Sequence, residues 1–150
     1  MTAIHINTHI NAPIQLVFDL SRDITEHEAS ANHTREKAIA GRTSGKIELG
    51  ETVTWRAKHF GIYLQHTSII SAFESPTRFV DEMQKGVFKS FHHEHIFKEN
   101  ENGTEMIDIL NYEVPYGIFG RFFNYCILKS YMTKFLLQRN QHIKKRAEVL

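Results

Sequence analysis

The sequence has little of several features that mark particular protein classes. Its single cysteine, Cys126, excludes an internal disulfide and a zinc site built from cysteines. Only three prolines and eight glycines occur in 150 residues, and they form no cluster that would indicate a linker or a low-complexity region. No run of about 18 uncharged apolar residues occurs, so no transmembrane helix is predicted.

Charge of neither sign is in excess. The chain has 18 Lys and Arg residues and 17 Asp and Glu residues, which gives a formal net charge of +1. This balance argues against nucleic-acid binding through bulk charge, so we expect no nucleic-acid partner. The N-terminal residues lack the cationic start and apolar core of a signal peptide, and we therefore expect a cytoplasmic protein.

Aromatic and histidine side chains, in contrast, are abundant. The chain contains 11 Phe, 5 Tyr, 1 Trp and 10 His. Hydrophobic residues make up 41% and charged residues 23%, a balance typical of globular proteins. The length fits one domain that spans residues 1–150.

The hydrophobic pattern predicts strands through most of the chain. Alternation of apolar and polar residues over 3–10 predicts a half-buried first strand. Asn11 is expected to cap a short helix that has Pro13 in its first turn, and a second short helix is expected over 21–30. Further strands are predicted at 34–40, 51–60, 62–74, 78–85, 87–98 and 104–114. Their short connections imply antiparallel neighbours, because parallel strands need long crossovers.

One long amphipathic helix is predicted after Pro115. Its apolar face carries Tyr125, Leu128, Tyr131, Met132, Phe135, Leu136 and Ile143. A helix over 121–148 would be roughly 42 Å long, enough to cross a seven-stranded antiparallel sheet about 29–34 Å wide. Arg139 falls on the same face. It is either solvated where the helix leaves the sheet or paired with a carboxylate of the sheet, and the helical pattern leaves both possibilities open.

Three stretches of the sequence carry a family resemblance. They are 10–20 (INAPIQLVFDL), 50–61 (GETVTWRAKHFG) and a longer stretch that starts at 76–83 (PTRFVDEM) and ends at Arg139. The longer stretch also includes Gly86, Phe91, 93–97 (HEHIF), Gly103, Thr104, Asp108, Tyr112 and 114–117 (VPYG). With these residues the sequence resembles the SRPBCC superfamily of START-like and birch-pollen-allergen-like proteins. Within it, the sequence is similar to a bacterial polyketide-cyclase-like branch sometimes labelled "cell division inhibitor".

The resemblance implies an α+β helix-grip fold. In that fold two short helices follow the first strand, and a seven-stranded antiparallel sheet wraps around a long C-terminal helix. An internal cavity remains between the sheet and the helix, and the resemblance favours pairing of Arg139 with a carboxylate of the concave face. Proteins of this fold include lipid carriers, hormone receptors, cyclases and dehydratases.

Strand parity, together with the family pattern and the aromatic residues, places one polar pair on the concave face of the sheet. A loop at 100–103 would pair His95 with Asp108 across a hairpin, and a slip by two residues would make them diagonal neighbours on the same face. The same register pairs Phe97 with Met106, His93 with Leu110, and Phe91 with Tyr112. The His95–Asp108 pair could satisfy itself in the cavity wall, orient a ligand or act in acid–base catalysis. We favour the first interpretation and treat the two residues as weak catalytic candidates.

The preferred function is the binding of a hydrophobic small molecule, such as a lipid, an isoprenoid or an aromatic polyketide-like molecule. The alternatives are a cyclase- or dehydratase-type enzyme that uses the His/Asp pair in the same cavity, and an adaptor whose cavity is filled by side chains. No cofactor is expected. The candidate ligand-binding residues are Trp55, His59, Phe79, Met83, Phe91, His93, His95, Phe97, Asp108, Leu110, Tyr112, Phe119, Tyr131 and Phe135.

Two further features bear on metals and partners. His93 and His95 could hold a metal ion together with His59 or His66, but no further ligand stands at a recognisable spacing, so no metal is predicted.

The segment 116–125 has two glycines and five aromatic residues and is expected to form a flexible apolar lip at one end of the cavity. Such a lip could gate ligand entry and touch a membrane transiently.

Overall fold

The order of elements predicted from the sequence is present in the computed structural model, which describes all 150 residues. The strands are β1 (Thr2–Ile10), β2 (Lys37–Gly41), β3 (Thr52–His59), β4 (Ile62–Glu74), β5 (Arg78–Lys85), β6 (Ser90–Asn100) and β7 (Gly103–Glu113). The helices are α1 (Ile14–Ser21), α2 (Ile24–Ser30), α3 (Gly117–Phe123) and α4 (Lys129–Val149). A 3-10 turn (Asn32–Thr34) follows α2, and a π-helical turn (Asn124–Leu128) joins α3 to α4.

All seven strands form one antiparallel sheet in the order β1-β7-β6-β5-β4-β3-β2, with the C-terminal helical segment across its concave side. The first strand therefore pairs with the last. The β6–β7 hairpin has the predicted register, with His95 opposite Asp108 and Phe97 opposite Met106. No helix has the length and apolar content needed to cross a membrane.

The buried core consists of two apolar clusters. In the larger cluster, the ring of Phe18 makes edge-to-face contacts with Phe73, Phe79 and Phe97, with ring centroids 5.3–5.6 Å apart. The smaller cluster consists of Ile4, Ile6, Leu110, Tyr112 and Leu136. Edge-to-face packing of this kind fixes α1 over one end of the sheet, because aromatic pairs gain energy beyond the area that they bury.

A buried polar layer separates the two clusters. Along β7, Met106 belongs to the larger cluster and Leu110 to the smaller one, with Asp108 between them. In the same way Asn140 separates the clusters along α4, and Thr8 separates them along β1. Polar side chains buried at one level on three elements must satisfy one another, so this layer is where a functional site is expected.

The start of α1 differs from the prediction. Asn11 is not its cap, because the helix begins at Ile14 with Pro13 at the N-cap position and no side chain caps it. The backbone N–H of Asn11 instead donates to Glu148 Oε2 of α4 at 3.0 Å. Proline fixes φ near the helical value, which supports a helix start without a side-chain cap.

Three other elements also begin at residues different from the predicted ones. α2 is shorter than the predicted 21–30 and begins at Ile24, where the carboxylate of Asp23 accepts hydrogen bonds from two backbone N–H groups at 2.8 and 3.1 Å. β2 begins three residues after the predicted position 34, because residue 34 ends the 3-10 turn. β6 begins three residues after the predicted position 87.

The C-terminal helical segment begins earlier than predicted and is interrupted. It starts at Gly117, and the π-helical turn separates α3 from α4. A π turn inserts an extra residue, which rotates the helix before it relative to the helix after it. Tyr125, predicted on the apolar face, is consequently 86% exposed, whereas Leu136 and Ile143 are buried as predicted.

An ion-pair network ties α2 to α4. Glu26 accepts hydrogen bonds from Nε and Nη2 of Arg146, at 3.2 and 3.1 Å, and from His142 Nε2 at 2.9 Å. Burial raises the pKa of Glu26, but these hydrogen bonds and the neighbouring positive charges outweigh burial and hold the pKa below its usual value.

We expect Glu26→Gln to lower the free energy of unfolding by about 1 kcal/mol at pH 7. A carboxylate whose pKa is depressed in the folded state contributes stability above its unfolded pKa and loses it as the pH falls through the folded pKa. Urea denaturation should therefore show a difference between wild type and variant that closes below about pH 4. Glu101→Gln, in the exposed β6–β7 turn, is the control and should match wild type throughout. A difference that stays constant into acid would contradict the assignment.

Candidate functional site

A cavity of about 360 Å³ lies between the concave face of the sheet and the C-terminal helices. It is lined by 35 residues, of which 20 are hydrophobic. Aromatic side chains form much of the wall: Trp55, Phe79 and Phe91 come from the strands and Phe135 comes from α4. The cavity is thus a mainly apolar chamber whose shape depends on both the sheet and the helices.

The mouth of the cavity is marked by side chains that line it and are also exposed to solvent. These are Phe60, Val87, Tyr116 and Phe123. The lip segment 116–125, which includes α3, therefore forms one side of the mouth, at the position predicted for it. A side chain at Gly120 would collide with the carbonyl oxygen of Pro115, so a glycine is required where the lip turns back on the last strand.

Asp108 is the centre of the polar layer and has no exposed surface. Its Oδ1 accepts hydrogen bonds from His93 Nε2 at 2.8 Å and from Arg139 Nη1 at 3.3 Å, and its Oδ2 accepts one from Asn140 Nδ2 at 2.7 Å. Burial acts to raise the pKa of Asp108. The hydrogen bonds from His93 and His95 and the charge of Arg139 nevertheless hold it well below its usual range. Asp108 is therefore a buried, fully paired carboxylate.

Arg139 pairs with a carboxylate of the concave face, as predicted. It is 4% exposed, and besides Asp108 its guanidinium donates to Asn140 Oδ1 at 3.0 Å and to the backbone carbonyl of Ser21 at 3.2 Å. The helix has therefore not left the sheet at this position. One side chain of α4 connects β7 to the end of α1.

The predicted pairing of His95 with Asp108 is correct in position but not in its hydrogen bonds. His95 Nε2 donates to Asp81 Oδ2 of β5 at 2.7 Å, and its Nδ1 lies 3.3 Å from Asp108 Oδ1. The closer hydrogen bond to Asp108 comes from His93, its diagonal neighbour across the hairpin. Diagonal neighbours are within reach of long side chains on one face of a sheet, which strand parity alone does not resolve.

The two histidines differ in protonation. Their rings stack with centroids 3.8 Å apart, so two positive charges would repel each other. Burial and the charge of His95 lower the pKa of His93, although Asp108 acts against them. Burial also disfavours the charged form of His95, but its hydrogen bonds to Asp108 and Asp81 outweigh burial and raise its pKa. The opposite shifts favour a proton on His95, between the two carboxylates, over a proton on His93.

A second polar contact crosses the cavity near its mouth. His59 Nδ1 of β3 and the hydroxyl of Tyr131 of α4 are 2.5 Å apart. Burial lowers the pKa of His59, so its ring is neutral and accepts the hydrogen bond from the tyrosine. This contact joins the helix to the half of the sheet that lies far from Asp108.

Eight of the predicted ligand-binding residues line the cavity: Trp55, His59, Phe79, Phe91, His93, His95, Tyr131 and Phe135. Their contact with a ligand remains a prediction. The residues on strands were identified by alternation that places them on the inward face, and the two residues on α4 were identified by their position on its apolar face.

Four other predicted residues lie on the concave side but do not line the cavity: Phe97, Asp108, Leu110 and Tyr112. The ring of Phe97 packs against Phe18 of α1, and the hydroxyl of Tyr112 donates to Asn124 Oδ1 at 2.6 Å. Parity predicts which face of a strand is inward, but not which part of that face a helix covers. These four residues face inward, as parity predicts, but they lie outside the cavity wall, and their contact with a ligand stays a prediction.

Met83 and Phe119 also do not line the cavity. Phe119 is 81% exposed, because it lies on the outer side of α3. Met83 follows Glu82, the last residue of β5 that pairs with β6, and its sulfur lies beside Gly86 in the next turn. The pairing of β4 with β5 shifts between Thr67 and Ser68, so the strands are irregular at this end. This irregularity turns the side chain of Met83 away from the cavity.

Sequence reasoning misses two members of the polar layer. Asn140 lies next to Arg139 on the helix but away from the main apolar face, so the helical periodicity does not identify it as a site residue. Asp81 is placed inward by its parity with Phe79, yet nothing in the spacing joins it to His93 and His95. The pairing of β5 with β6, which sets Asp81 opposite His93, is the missing information.

We expect Asp108→Asn to lower the free energy of unfolding by about 3–5 kcal/mol, the range found when one partner of a buried ion pair is removed. The amide keeps the shape of the carboxylate but leaves Arg139 without a counter-charge. Its NH2 group also faces N–H donors of His93, Arg139 or Asn140 in place of an acceptor. Urea denaturation measures the effect. Glu105→Gln, on the opposite face of the same strand, is the control and should change stability by less than about 1 kcal/mol. Equal stability of Asp108→Asn and wild type would contradict the assignment.

Comparison with known proteins identifies the fold. No family model matches the chain, and no curated protein matches it. Among solved structures, TTHA0849 from Thermus thermophilus is 17% identical with a TM-score of 0.79 over 97% of both chains. CV1439 from Chromobacterium violaceum is 10% identical with a TM-score of 0.72 over 97% of this chain and 96% of that chain. Ginseng major latex-like protein 151 from Panax ginseng is 15% identical with a TM-score of 0.71 over 97% of both chains. Such similarity shows a shared fold, and the predicted α+β helix-grip fold is confirmed.

Proposed function

We propose that the protein binds a hydrophobic small molecule, such as a lipid, an isoprenoid or an aromatic polyketide-like molecule, in the cavity between the sheet and the C-terminal helices. The observation that carries this proposal is a mainly apolar cavity that opens at an exposed rim and has one polar cluster in its wall. The volume of about 360 Å³ lies at the small end of the range of roughly 300–1,000 Å³ typical of ligand sites. A cavity of this size argues against the adaptor alternative, which requires it to be filled by side chains.

The polar cluster gives the ligand an orientation. Asp81, His93 and His95 line the cavity together. The side chain of Asp81 is 22% exposed, whereas those of the two histidines are 7% and 3% exposed. The accessible group is thus a carboxylate, which accepts hydrogen bonds. A ligand with a hydroxyl or another donor at one end of an apolar body fits this arrangement.

The same contacts favour binding over the cyclase- or dehydratase-type alternative. An acid–base catalyst needs a ring nitrogen aimed at the substrate. Here His93 Nε2 donates to Asp108 and His95 Nε2 donates to Asp81, while His95 Nδ1 lies 3.3 Å from Asp108. The nitrogens face carboxylates rather than open space. Under this proposal the chain belongs to the polyketide-cyclase-like branch by resemblance but acts as a binding protein.

The exposed lip suits contact with an anionic membrane surface. Its apolar side chains between 67% and 86% exposed are Tyr116, Ile118, Phe119, Phe122 and Tyr125. Between Glu113 and Glu148 the chain has no acidic residue, whereas Arg121 and Lys129 are exposed on this segment. Aromatic groups next to cations match the interface of a bilayer that carries negative lipid headgroups. An apolar ligand could then enter the cavity from the bilayer through the adjacent mouth.

We expect Ser68→Phe to weaken binding of the fluorescent probe anilinonaphthalene sulfonate by at least about 10-fold. Ser68 is buried and lines the cavity, so a phenyl ring at this position occupies the space that a ligand needs. Fluorescence titration measures the probe affinity. Native mass spectrometry of gently purified wild type should in addition detect a co-purified molecule, which the variant should lack.

Thr54→Phe is the matched control for the cavity. Thr54 points to the other face of β3, where its hydroxyl contacts Thr67 at 2.8 Å, and it does not line the cavity. Its probe affinity should equal that of wild type. Equal probe binding by wild type and Ser68→Phe would show that the cavity is not the binding site.

We expect the double variant Phe119→Ala/Phe122→Ala to bind phosphatidylglycerol vesicles at least about 10-fold more weakly than wild type, because two exposed aromatic side chains no longer enter the interface. Cosedimentation measures the bound fraction. The control Ile39→Ala/Leu49→Ala removes exposed apolar side chains outside the lip and should bind as wild type. Unchanged binding by the lip variant, or equal binding to neutral phosphatidylcholine vesicles, would contradict the membrane assignment.

A further inference from the structure

We propose that Asp81, His93 and His95 form a binding site for a divalent transition-metal ion. One donor atom from each of the three side chains lies within 4.8 Å of the other two. His95 Nε2 is 2.7 Å from Asp81 Oδ2, and His93 Nδ1 is 3.9 Å from the same oxygen. The expectation of no metal assumed that no suitable third ligand exists, and Asp81 supplies one from the neighbouring strand.

The donor separations fit a common ion after a small adjustment. Ligand atoms about 2.0–2.2 Å from one ion are about 3.0–3.5 Å from each other in tetrahedral or octahedral geometry. The observed separations of 2.7 and 3.9 Å lie on either side of that range. Small rotations of the imidazole rings would equalise them. Both histidines stand on one strand and Asp81 on the next, so the three donors are held by paired backbone.

The orientation of the histidine rings is the strongest argument. Asp108 Oδ1 lies 2.8 Å from His93 Nε2 and 3.3 Å from His95 Nδ1, so one carboxylate contacts one nitrogen of each ring. The other nitrogen of each ring, His93 Nδ1 and His95 Nε2, is left facing Asp81. Metal-bound histidines typically donate their second N–H to a carboxylate, which fixes the ring and the tautomer. Asp108 holds that position for His93 by a hydrogen bond, and it lies 3.3 Å from the second nitrogen of His95, which Arg139 Nη2 also approaches at 3.5 Å. Asp108 is itself held by Arg139 and Asn140.

The site opens to the cavity on one side only. Asp81, His93 and His95 line the cavity, whereas Asp108 lies behind them. Two histidines and one carboxylate on one side of an ion leave coordination positions for water or a ligand oxygen. The two carboxylates and Arg139 carry a net charge of −1 with neutral histidines, which a divalent cation changes to +1. A bound hydroxide, carboxylate or enolate oxygen would restore neutrality. The metal-loaded site would therefore select ligands with an anionic oxygen, whereas the metal-free carboxylate of Asp81 suits a hydrogen-bond donor.

The test is titration of chelator-treated protein with Zn²⁺ by calorimetry, with Co²⁺ as a spectroscopic probe. We expect one site with micromolar or tighter affinity, and visible Co²⁺ absorption bands that report nitrogen and oxygen ligands. Asp81→Asn should weaken the affinity by more than about 10-fold. The matched control is Glu82→Gln, because Glu82 follows Asp81 and lies 3.3 Å from His92 on the opposite face. It should bind the ion as wild type.

A second measurement separates metal binding from folding and from ligand binding. The melting temperature of wild type and Glu82→Gln should rise with Zn²⁺, whereas that of Asp81→Asn, measured with and without chelator, should not. Probe binding by the metal-free protein tests the apolar cavity independently. Wild type that shows no saturable binding below roughly 100 μM Zn²⁺ would overturn the metal site. Equal affinity of wild type and Asp81→Asn would also overturn it, because the ion would then be on surface histidines.

Discussion

The buried charge of Asp108 is the constraint on which the rest of the structure depends. A carboxylate without exposed surface is tolerated only when every oxygen has partners, since an unpaired buried charge is strongly destabilising. Those partners come from two places: His93 and His95 on the adjacent strand, and Arg139 and Asn140 on α4. The rotation and the level of the long helix on the sheet are thereby fixed by hydrogen-bond geometry as well as by apolar packing.

This polar layer also divides the interior into parts with different properties. On one side, α1 covers the sheet and aromatic rings fill the space around Phe18. On the other side, the smaller apolar cluster packs beneath the helix. The cavity borders both clusters, because Trp55 and Phe79 of the larger cluster and Leu136 of the smaller one line it. Asp108 stays behind the wall while His93, His95 and Asp81 face the cavity. The same network therefore supports the fold with one carboxylate and presents another to a ligand.

The fold could be predicted from the sequence because its signals are local. Period-two alternation, short turns and one long amphipathic helix fix the order of elements, and the four-residue turn that begins at Asn100 sets the register of the β6–β7 hairpin. The candidate site was predicted less completely. The position of Arg139 on an apolar helix face left pairing and solvation both open, and the family resemblance favoured the pairing with a concave-face carboxylate that the structure contains. The contact between Asp81 and His95 did not follow, because it depends on the relative position of two strands joined by an irregular turn.

Errors of the sequence analysis share one physical origin. Parity identifies the inward face of a strand but not the helix that covers it. It therefore placed Phe97 and Tyr112 inward without showing that helices separate them from the cavity. A helical wheel assumes one unbroken helix, so Tyr125 was expected to be buried although the π-helical turn rotates it outward. In each case the deciding contact is made by residues distant in the chain, which periodicity does not report.

The distribution of the polar layer along the chain has a consequence for folding. Asp81, His93, His95 and Asp108 all lie within the consecutive strands β5, β6 and β7, which are joined by short turns and can pair early. Arg139 and Asn140 arrive only with α4. Until that helix docks, the carboxylate of Asp108 is exposed to water on the face of the sheet, and no other element covers it. Burial of Asp108 and docking of α4 are therefore one cooperative event, so loss of the last helix should prevent the concave face from reaching its native, desolvated state.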